Sequence, residues 1–330
     1  MKQIARIAAV IALAVAAPAA LAQAPSTGSG QAYPSKLIRL VVPWAPGGST
    51  DVLARLIAVK MTESWGQPAV VENRPGASGN IGSDQVAKAP GDGYTILVGS
   101  VSTHAMNPFL MANMPFKGVD DFQTVALAAY VTNVLVAHPS VPVRNVAELI
   151  TAAKAKPDAI KYASAGNGST NHLAAELFAR MTGAQMLHVP YKGGGPATAA
   201  ILGGQVDIFF TGLGNVWDHV KSGKLKLLAV TEARRAKLLP DVPTVGETLR
   251  GYEMAVWYGV WVPAATSPEI VAKLNAEVNR AMVLPDVQSR LAAMGAEHAA
   301  LTPQQAHQLL KSDAERWGRI IREADIKADL

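Results

Sequence analysis

The chain has no cysteine, so no disulfide framework, thiolate nucleophile or thiolate metal ligand is available, and burial must supply the stability. Aromatic residues are 6% and charged residues 17% of the chain. There is no Lys/Arg tract and no basic stripe interleaved with aromatics, which argues against nucleic acid as a partner. The formal net charge of +5 is spread thinly; such a field helps a small anion approach but identifies none. No Walker loop, H-E-x-x-H pair, G-x-S-x-G elbow or complete G-x-G-x-x-G occurs, and Gly212-x-Gly214 lacks its third glycine. Seven scattered histidines without cysteine predict no metal site, and no cofactor is expected. No uninterrupted apolar run reaches the roughly 20 residues that span a bilayer.

What is present starts with an export signal. Lys2 and Arg6 precede an uncharged stretch from Ile7 to Ala17, and small residues follow. These are the parts of a secretory signal peptide, expected over 1–22, with the mature chain in the periplasm. Cleavage after Ala24 would leave Pro25 just beyond the cut, so cleavage after Ala22 is preferred. A flexible Ser/Gly-rich lead is expected over 23–34. Loss of Lys2 and Arg6 would lower the formal charge from +5 to +3.

About 300 remaining residues exceed one ordinary core and point to two domains. Short β-branched runs at 37–42, 69–72, 94–98, 134–137, 160–163, 206–210, 227–230 and 254–262 alternate with helical patterns. That alternation predicts an α/β fold of two lobes, each a mostly parallel sheet flanked by helices. A closing tail of three helices, near 268–282, 285–294 and 303–323, has no sheet of its own and should return to the first lobe. Lobe 1 is therefore expected over 35–131 and 259–330, and lobe 2 over 132–258. Two crossings between lobes make a hinge, and ligands favour the space between lobes.

Two loops repeat one arrangement, a buried strand running through glycines into a helix. The first holds Trp44, Pro46, Gly47, Gly48, Ser49, Thr50 and Asp51. The second holds Ala165, Gly166, Asn167, Gly168, Ser169 and Thr170. Glycine lets backbone approach a ligand, and the first helical amides lack intrahelical acceptors, so each loop is a candidate anion site. Open α/β sheets bind ligands at such strand ends. Ser49, Thr50 and Asp51 are also good helix caps, and a carboxylate at Asp51 would repel a bound anion, which favours a role in the fold. Trp44 is either a stacking surface for a ring or a cover for the hinge. Ser102, Thr103, His104 and Asn107 are further hydroxyl, imidazole and amide candidates, and Lys192 is a cation either near the cleft or in solvent. Ser169 and His172, three apart on one turn, suit capping better than catalysis.

Seven segments occur in one order: PWAPGGSTD (43–51), VENRPGASGNIG (71–82), APGDGY (89–94), THAMNP (103–108), ASAGNGSTNHL (163–173), VPYKGG (189–194) and LGGQVD (202–207). Together they resemble the tripartite tricarboxylate transporter substrate-binding family, the Bug receptors, across nearly the whole mature chain. The resemblance implies a type II, Venus-flytrap fold that captures a small carboxylate (a di- or tricarboxylate, or an aromatic or amino acid) between its lobes. It also implies ligand contacts from the two glycine loops and the Ser/Thr-His segment, and delivery to membrane permease subunits. In one respect the chain departs from the family. Many relatives carry Asp shortly after the strand containing Asp207, where this chain has Thr211; if that position faces the pocket, the lost charge argues against a cationic amino group on the solute. A monomeric, non-enzymatic binding protein is the expectation. A ligand-presenting sensor subunit and an exported hydrolase built on Ser169, His104 and Asp51 are the rivals.

Overall fold

The computed structural model describes residues 33–111, 113–323 and 326. The expected signal peptide, 1–22, and all but the last two residues of the expected lead, 23–34, lie outside the described residues.

Eleven strands are described: β1 (Ile38–Val42), β2 (Ala69–Asn73), β3 (Thr95–Ser100), β4 (Phe122–Val131), β5 (Asn133–Ala137), β6 (Lys161–Ser164), β7 (Leu187–Pro190), β8 (Ile208–Gly212), β9 (Lys226–Val230), β10 (Val256–Pro263) and β11 (Ala296–Glu297). They form a first sheet in the order β11-β4-β10-β3-β1-β2 and a second in the order β7-β6-β8-β5-β9. Hydrophobic side chains fill both faces of the central strands: β5 and β10 are buried along their whole length. Helices cover the sheets, giving the two-lobed α/β architecture of periplasmic binding proteins.

The sheets are mixed, not mostly parallel. β1 runs parallel to β2 and β3, and β6 parallel to β7 and β8. β10 is antiparallel to β3 and β4, β11 to β4, and β5 to β8 and β9. The reason is the way the chain changes sheets. Only Thr132 separates β4 from β5, so no crossover helix intervenes to impose a parallel return. The way back runs through 231–255, after which Val256 pairs with Val131 and Tyr258 with Ala129 and Ser100, in the first sheet.

β4 is the long strand that periodicity does not reveal. Its sequence FQTVALAAYV is alanine-rich and has almost no polar alternation, because both of its faces are covered. Beside it, β10 carries Trp257 and Trp261 with ring centroids 5.6 Å apart. Gly259 between them is a packing requirement: a Cβ there would lie 2.6 Å from the Trp261 ring and 2.9 Å from the Trp257 ring.

The tail packs on the first sheet. The helix Pro268–Met282 lies against β4 and the helix Ser49–Trp65, and Pro303–Glu323 lies against β4 and the Ser102–Met106 turn. Pro268–Met282 begins with a Ser267 cap on the Ile270 amide and buries Val271, Leu274, Val278, Ala281 and Met282. That spacing of three and four makes one apolar stripe. Each large side chain buried there contributes roughly 1.5–3 kcal/mol, so truncating Leu274 would loosen the tail.

Candidate functional site

Three helix starts converge where the sheets face each other. Ser49–Trp65 follows β1, Thr170–Thr182 follows β6, and Gly194–Leu202 follows β7. The cleft between them is lined by Trp44, Ala45, Gly48, Ser49, Thr50, Asp51, Ser100 and Tyr258 from the first-sheet side. Ala165, Ser169, Thr170, Asn171, Gly194 and Asn215 line it from the second. Helical geometry leaves the amides of Ser49, Thr50 and Asp51 without intrahelical acceptors, and likewise those of Thr170, Asn171, Gly194 and Gly195. The cleft therefore gathers backbone donors and positive helix ends from both sides.

It is closed in this structure. The Ala45 amide donates to the Lys192 carbonyl at 3.0 Å, and Ser49 Oγ donates to Asn215 Oδ1 at 3.2 Å. Glycines make the approach possible. A Cβ on Gly195 would sit 2.7 Å from the Pro46 oxygen, one on Gly193 (φ +145°) 3.0 Å from the Ala45 nitrogen, and one on Gly168 2.6 Å from Asn107 Oδ1. The enclosed volume is about 30 Å³, room for about two water molecules.

Its electrostatics are nearly neutral. Asp51 is the only ionised side chain in the lining, and its carboxylate is satisfied from within the first sheet. Arg55 donates from Nε and Nη2, Asn73 from Nδ2 and Gly47 from its amide, all at 3.0–3.1 Å. Burial pushes the Asp51 pKa up, but the Arg55, Asn73 and Gly47 hydrogen bonds more than offset this and leave it below the usual carboxylate value. Asp51 thus lines the cleft with its carboxylate already bonded by its own side of the protein. The helix it begins has Gly48 as N-cap with no side-chain cap bond, contrary to the expectation that a Ser49, Thr50 or Asp51 side chain caps it. The second helix is capped: the His172 amide donates to Ser169 Oγ at 3.3 Å, as the spacing suggested. Tyr258 lies beside Ser49 and Thr50, and burial pushes its phenol up to about 12, so it remains a neutral hydroxyl.

Several expected site residues stand elsewhere. Ser102, Thr103, His104 and Asn107 are all buried but do not line the cleft. Ser102 supports Ser100 at 2.7 Å. Thr103 bonds His104 Nδ1 at 2.8 Å, and the imidazole stacks on Trp261 at 4.1 Å. Burial lowers the His104 pKa to about 3, so it neither carries charge nor exchanges protons near neutral pH. Asn107 donates to Ser78 O and Asn80 Oδ1 and so ties down the 78–80 turn. Pro46, Gly47, Gly166, Asn167 and Gly168 shape the loops without lining the cavity. Lys192 supplies its carbonyl and leaves its side chain at the exposed surface. Thr211 is fully buried one step back, accepting from Asn215 Nδ2 at 2.9 Å.

The lining residues that sequence reasoning missed are Ala45, Ser100, Asn171, Gly194, Asn215 and Tyr258. Asn171 sits in the quoted second-loop motif, one residue past the expected set, and Tyr258 in the expected last strand. Asn215 carries no local signal. Among the described residues no group of histidine, aspartate and glutamate is placed to hold a metal, and no helix is long and apolar enough to cross a membrane.

A larger cavity, about 730 Å³, lies at the crossing between the sheets, lined in part by Val131, Thr132, Glu232, Arg234 and Val256. No helix start faces it. Glu232 there accepts from the Asn133 amide at 2.7 Å, and burial pushes its carboxyl up to about 7.

Comparison with known proteins agrees with this geometry. The family model for the tripartite tricarboxylate transporter family receptor matches residues 53–326. BugT of Bordetella pertussis is 39% identical over 303 residues, covering 91% of this chain and 92% of that protein. The solved structure of R. palustris Rpa4515 with adipate superposes with a TM-score of 0.86 at 38% identity, over 89% of this chain and 99% of that one. MatC from Rhodopseudomonas palustris with bound malate gives 0.85 at 34% identity, over 88% and 100%. A sheet-to-sheet cleft of helix starts and a family match across nearly all described residues lead to one assignment: the chain belongs to the tripartite tricarboxylate transporter receptor family, the Bug-type periplasmic solute-binding proteins.

Proposed function

We propose that this protein captures a small carboxylate in the cleft between its sheets and delivers it, unaltered, to the membrane permease subunits of a tripartite tricarboxylate-type transporter. The observation that carries this reading is the convergence of three helix starts on uncharged donors, with the one lining carboxylate already bonded by Arg55, Asn73 and Gly47. Charge-assisted hydrogen bonds contribute on the order of 1.5–3 kcal/mol each, so a few of them suffice for micromolar binding after the costs of association. The relatives with adipate and malate bear on the solute class, since both are dicarboxylates.

The two sheets are the proposed lobes, hinged at Thr132 and at 231–255. A cleft of about 30 Å³ is smaller than any such solute, so capture requires opening about that hinge. Export through residues 1–22, a periplasmic location and a monomeric state complete the proposal. Hydrolysis is disfavoured by the same geometry: Ser169 caps a helix, Asp51 is bonded to Arg55, and His104 is buried against Trp261.

The test is calorimetry and thermal denaturation of the mature protein with mono-, di- and tricarboxylates, with solution scattering in parallel. A ligand at 100 times its Kd should stabilise the fold by about 2.7 kcal/mol and preserve or restore the compact form. If no carboxylate raises the melting temperature, the proposal fails.

A further inference from the structure

The second glycine loop rests on one small block of the first-sheet side. That block is the turn at 76–80 with Asn107 and Met111 bonded to it. Four successive residues of the turn, Gly76, Ala77, Ser78 and Gly79, have φ of +134°, +42°, +58° and +87°. Ala77 and Ser78 are not glycine, so the turn is strained and keeps its shape only because its surroundings hold it. Asn107 supplies much of that hold: its Nδ2 donates to Ser78 O at 3.2 Å and to Asn80 Oδ1 at 3.0 Å. A carbonyl can only accept, so the first bond fixes which end of the Asn107 amide is which. Asn107 is fully buried, and its remaining polar atom, Oδ1, is buried without a hydrogen-bond partner. That oxygen faces Gly168 of the second glycine loop, where an added Cβ would lie 2.6 Å from it. The block meets the loop a second time, with Ser78 Oγ 4.0 Å from where a Cβ on Gly166 would stand.

We infer that Asn107 is a positioning residue for solute capture: its side chain is the stop against which the second glycine loop comes to rest as the lobes close. This rests on the two-lobe capture proposed above, not on which acid is captured. An unpartnered oxygen packed on a glycine makes no conventional hydrogen bond, so the contact limits approach without holding the lobes together. The holding bonds, Ala45 with Lys192 and Ser49 with Asn215, lie elsewhere. Gly168 is followed at once by Ser169, Thr170 and Asn171, which line the cleft. Where the loop stops therefore sets how far those residues reach towards a solute. The Gly168 amide also donates to His172 Nδ1 at 3.1 Å, so a displacement of Gly168 is passed to the helix that carries them. Glycine is required at 168 on two counts. Its φ is +78°, and a Cβ would strike Asn107 Oδ1 and lie 3.1 Å from Met111 Cε.

The chain has no cysteine, so spin labels on Gln85→Cys and Arg180→Cys, exposed positions on the two sides of the cleft, report the distance between lobes. The distance is measured in the mature protein without solute and with adipate or malate, and calorimetry gives Kd for both acids. Gly168→Ala and Asn107→Gln thicken the contact from opposite sides. Each should lengthen the shortest populated distance by more than about 2 Å and weaken whichever acid binds by at least about tenfold. Asn107→Ala added to Gly168→Ala should restore the distance, and Kd to within about threefold; Asn107→Leu added to Gly168→Ala should restore neither. Both double variants lose the bonds to Ser78 and Asn80 and share the backbone strain at 168, so a merely structural role for Asn107 predicts no difference between them. Asn107→Gln leaves Gly168 in place and decides the outcome if Gly168→Ala does not fold. If neither single variant moves the lobes, or if Asn107→Leu restores as well as Asn107→Ala, the inference is overturned and the carboxylate reading stands. If the distances behave as expected and no carboxylate binds any form, the stop stands and the carboxylate reading falls.

Discussion

The helices at Ser49 and Thr170 begin in the same way in sequence, a buried strand passing through glycines into hydroxyl residues, yet the protein completes them differently. The first has no side-chain cap. Asp51 instead reaches back to the Gly47 amide and is held by Arg55 and Asn73. The second is capped by Ser169 and backed by an imidazole, His172, which accepts from the Gly168 amide at 3.1 Å. One loop is stabilised by an ion pair whose outer partner is in solvent, the other by neutral groups alone. Both leave their first amides unused by the helix. Matching anion-binding ends can therefore rest on unlike supports, and the supports should fail under different conditions.

The largest expected effect comes from keeping the two loops apart. Gly195→Ala places a Cβ against the Pro46 oxygen, and overpacking of about 1–3 kcal/mol corresponds to roughly 5–150-fold weaker solute binding. Calorimetry reads the affinity and solution scattering the wider mean shape; an unchanged Kd would show that the close glycine approach is dispensable.

Next in size is the first loop's ion pair. Asp51→Ala strands Arg55, Asn73 and the Gly47 amide and should cost about 2–3 kcal/mol in urea denaturation at pH 7. Because the Asp51 pKa is lowered in the fold, its contribution is present above the unfolded carboxylate value and is lost as pH falls through the folded one.

The second loop should respond to acid through His172. Burial lowers its pKa to about 4, below the unfolded value near 6.5, so the unfolded chain binds the proton first. Stability should decline as pH falls from about 6.5 to 4, by on the order of 2–3 kcal/mol, and His172→Gln should flatten that slope in denaturation curves. Glu232 at the crossing has the opposite sign. With its carboxyl raised to about 7, it weakens the fold as pH rises from about 4.5 to 7, and Glu232→Gln should remove that loss.

The smallest effect is the most direct comparison of the two starts. Ser169→Ala removes a cap and should cost about 1 kcal/mol, whereas Ser49→Ala removes no cap but loses the bond to Asn215 Oδ1 across the cleft, and its cost of about 0.5–1.5 kcal/mol in thermal denaturation should disappear in an Asn215→Ala background. A loss that persists in that background would mean that the two helices are supported alike after all.

Much of the fold was legible because it follows from periodicity and local chemistry. Glycine at a strand end, a serine three residues before the amide it caps, and proline in a helix's first turn all act within a few residues. β4 was not legible, since an alanine-rich strand covered on both faces has no alternation to detect. Nor was the mixed direction of the sheets, which depends on the single-residue passage at Thr132.

The cleft divides along the same line. Trp44, Ser49, Thr50, Ser169 and Thr170 stand beside glycines in sequence, and their place in the lining follows from the loops they belong to. His104 and Thr211 drew notice as polar residues in suggestive positions, but packing against Trp261 and behind Asn215 took them out of the lining. Asn215 and Tyr258 entered it from distant segments. Sequence by itself determined the elements, the glycine loops and the family, because these depend on short-range geometry and on an ordered set of motifs. Tertiary structure alone decided which polar groups from distant segments meet at the cleft, because Asn171, Asn215 and Tyr258 are brought to its lining and held there by contacts such as Asn171 with Phe210 and Asn215 with Thr211 and Ser49, between groups the folded sheets bring together.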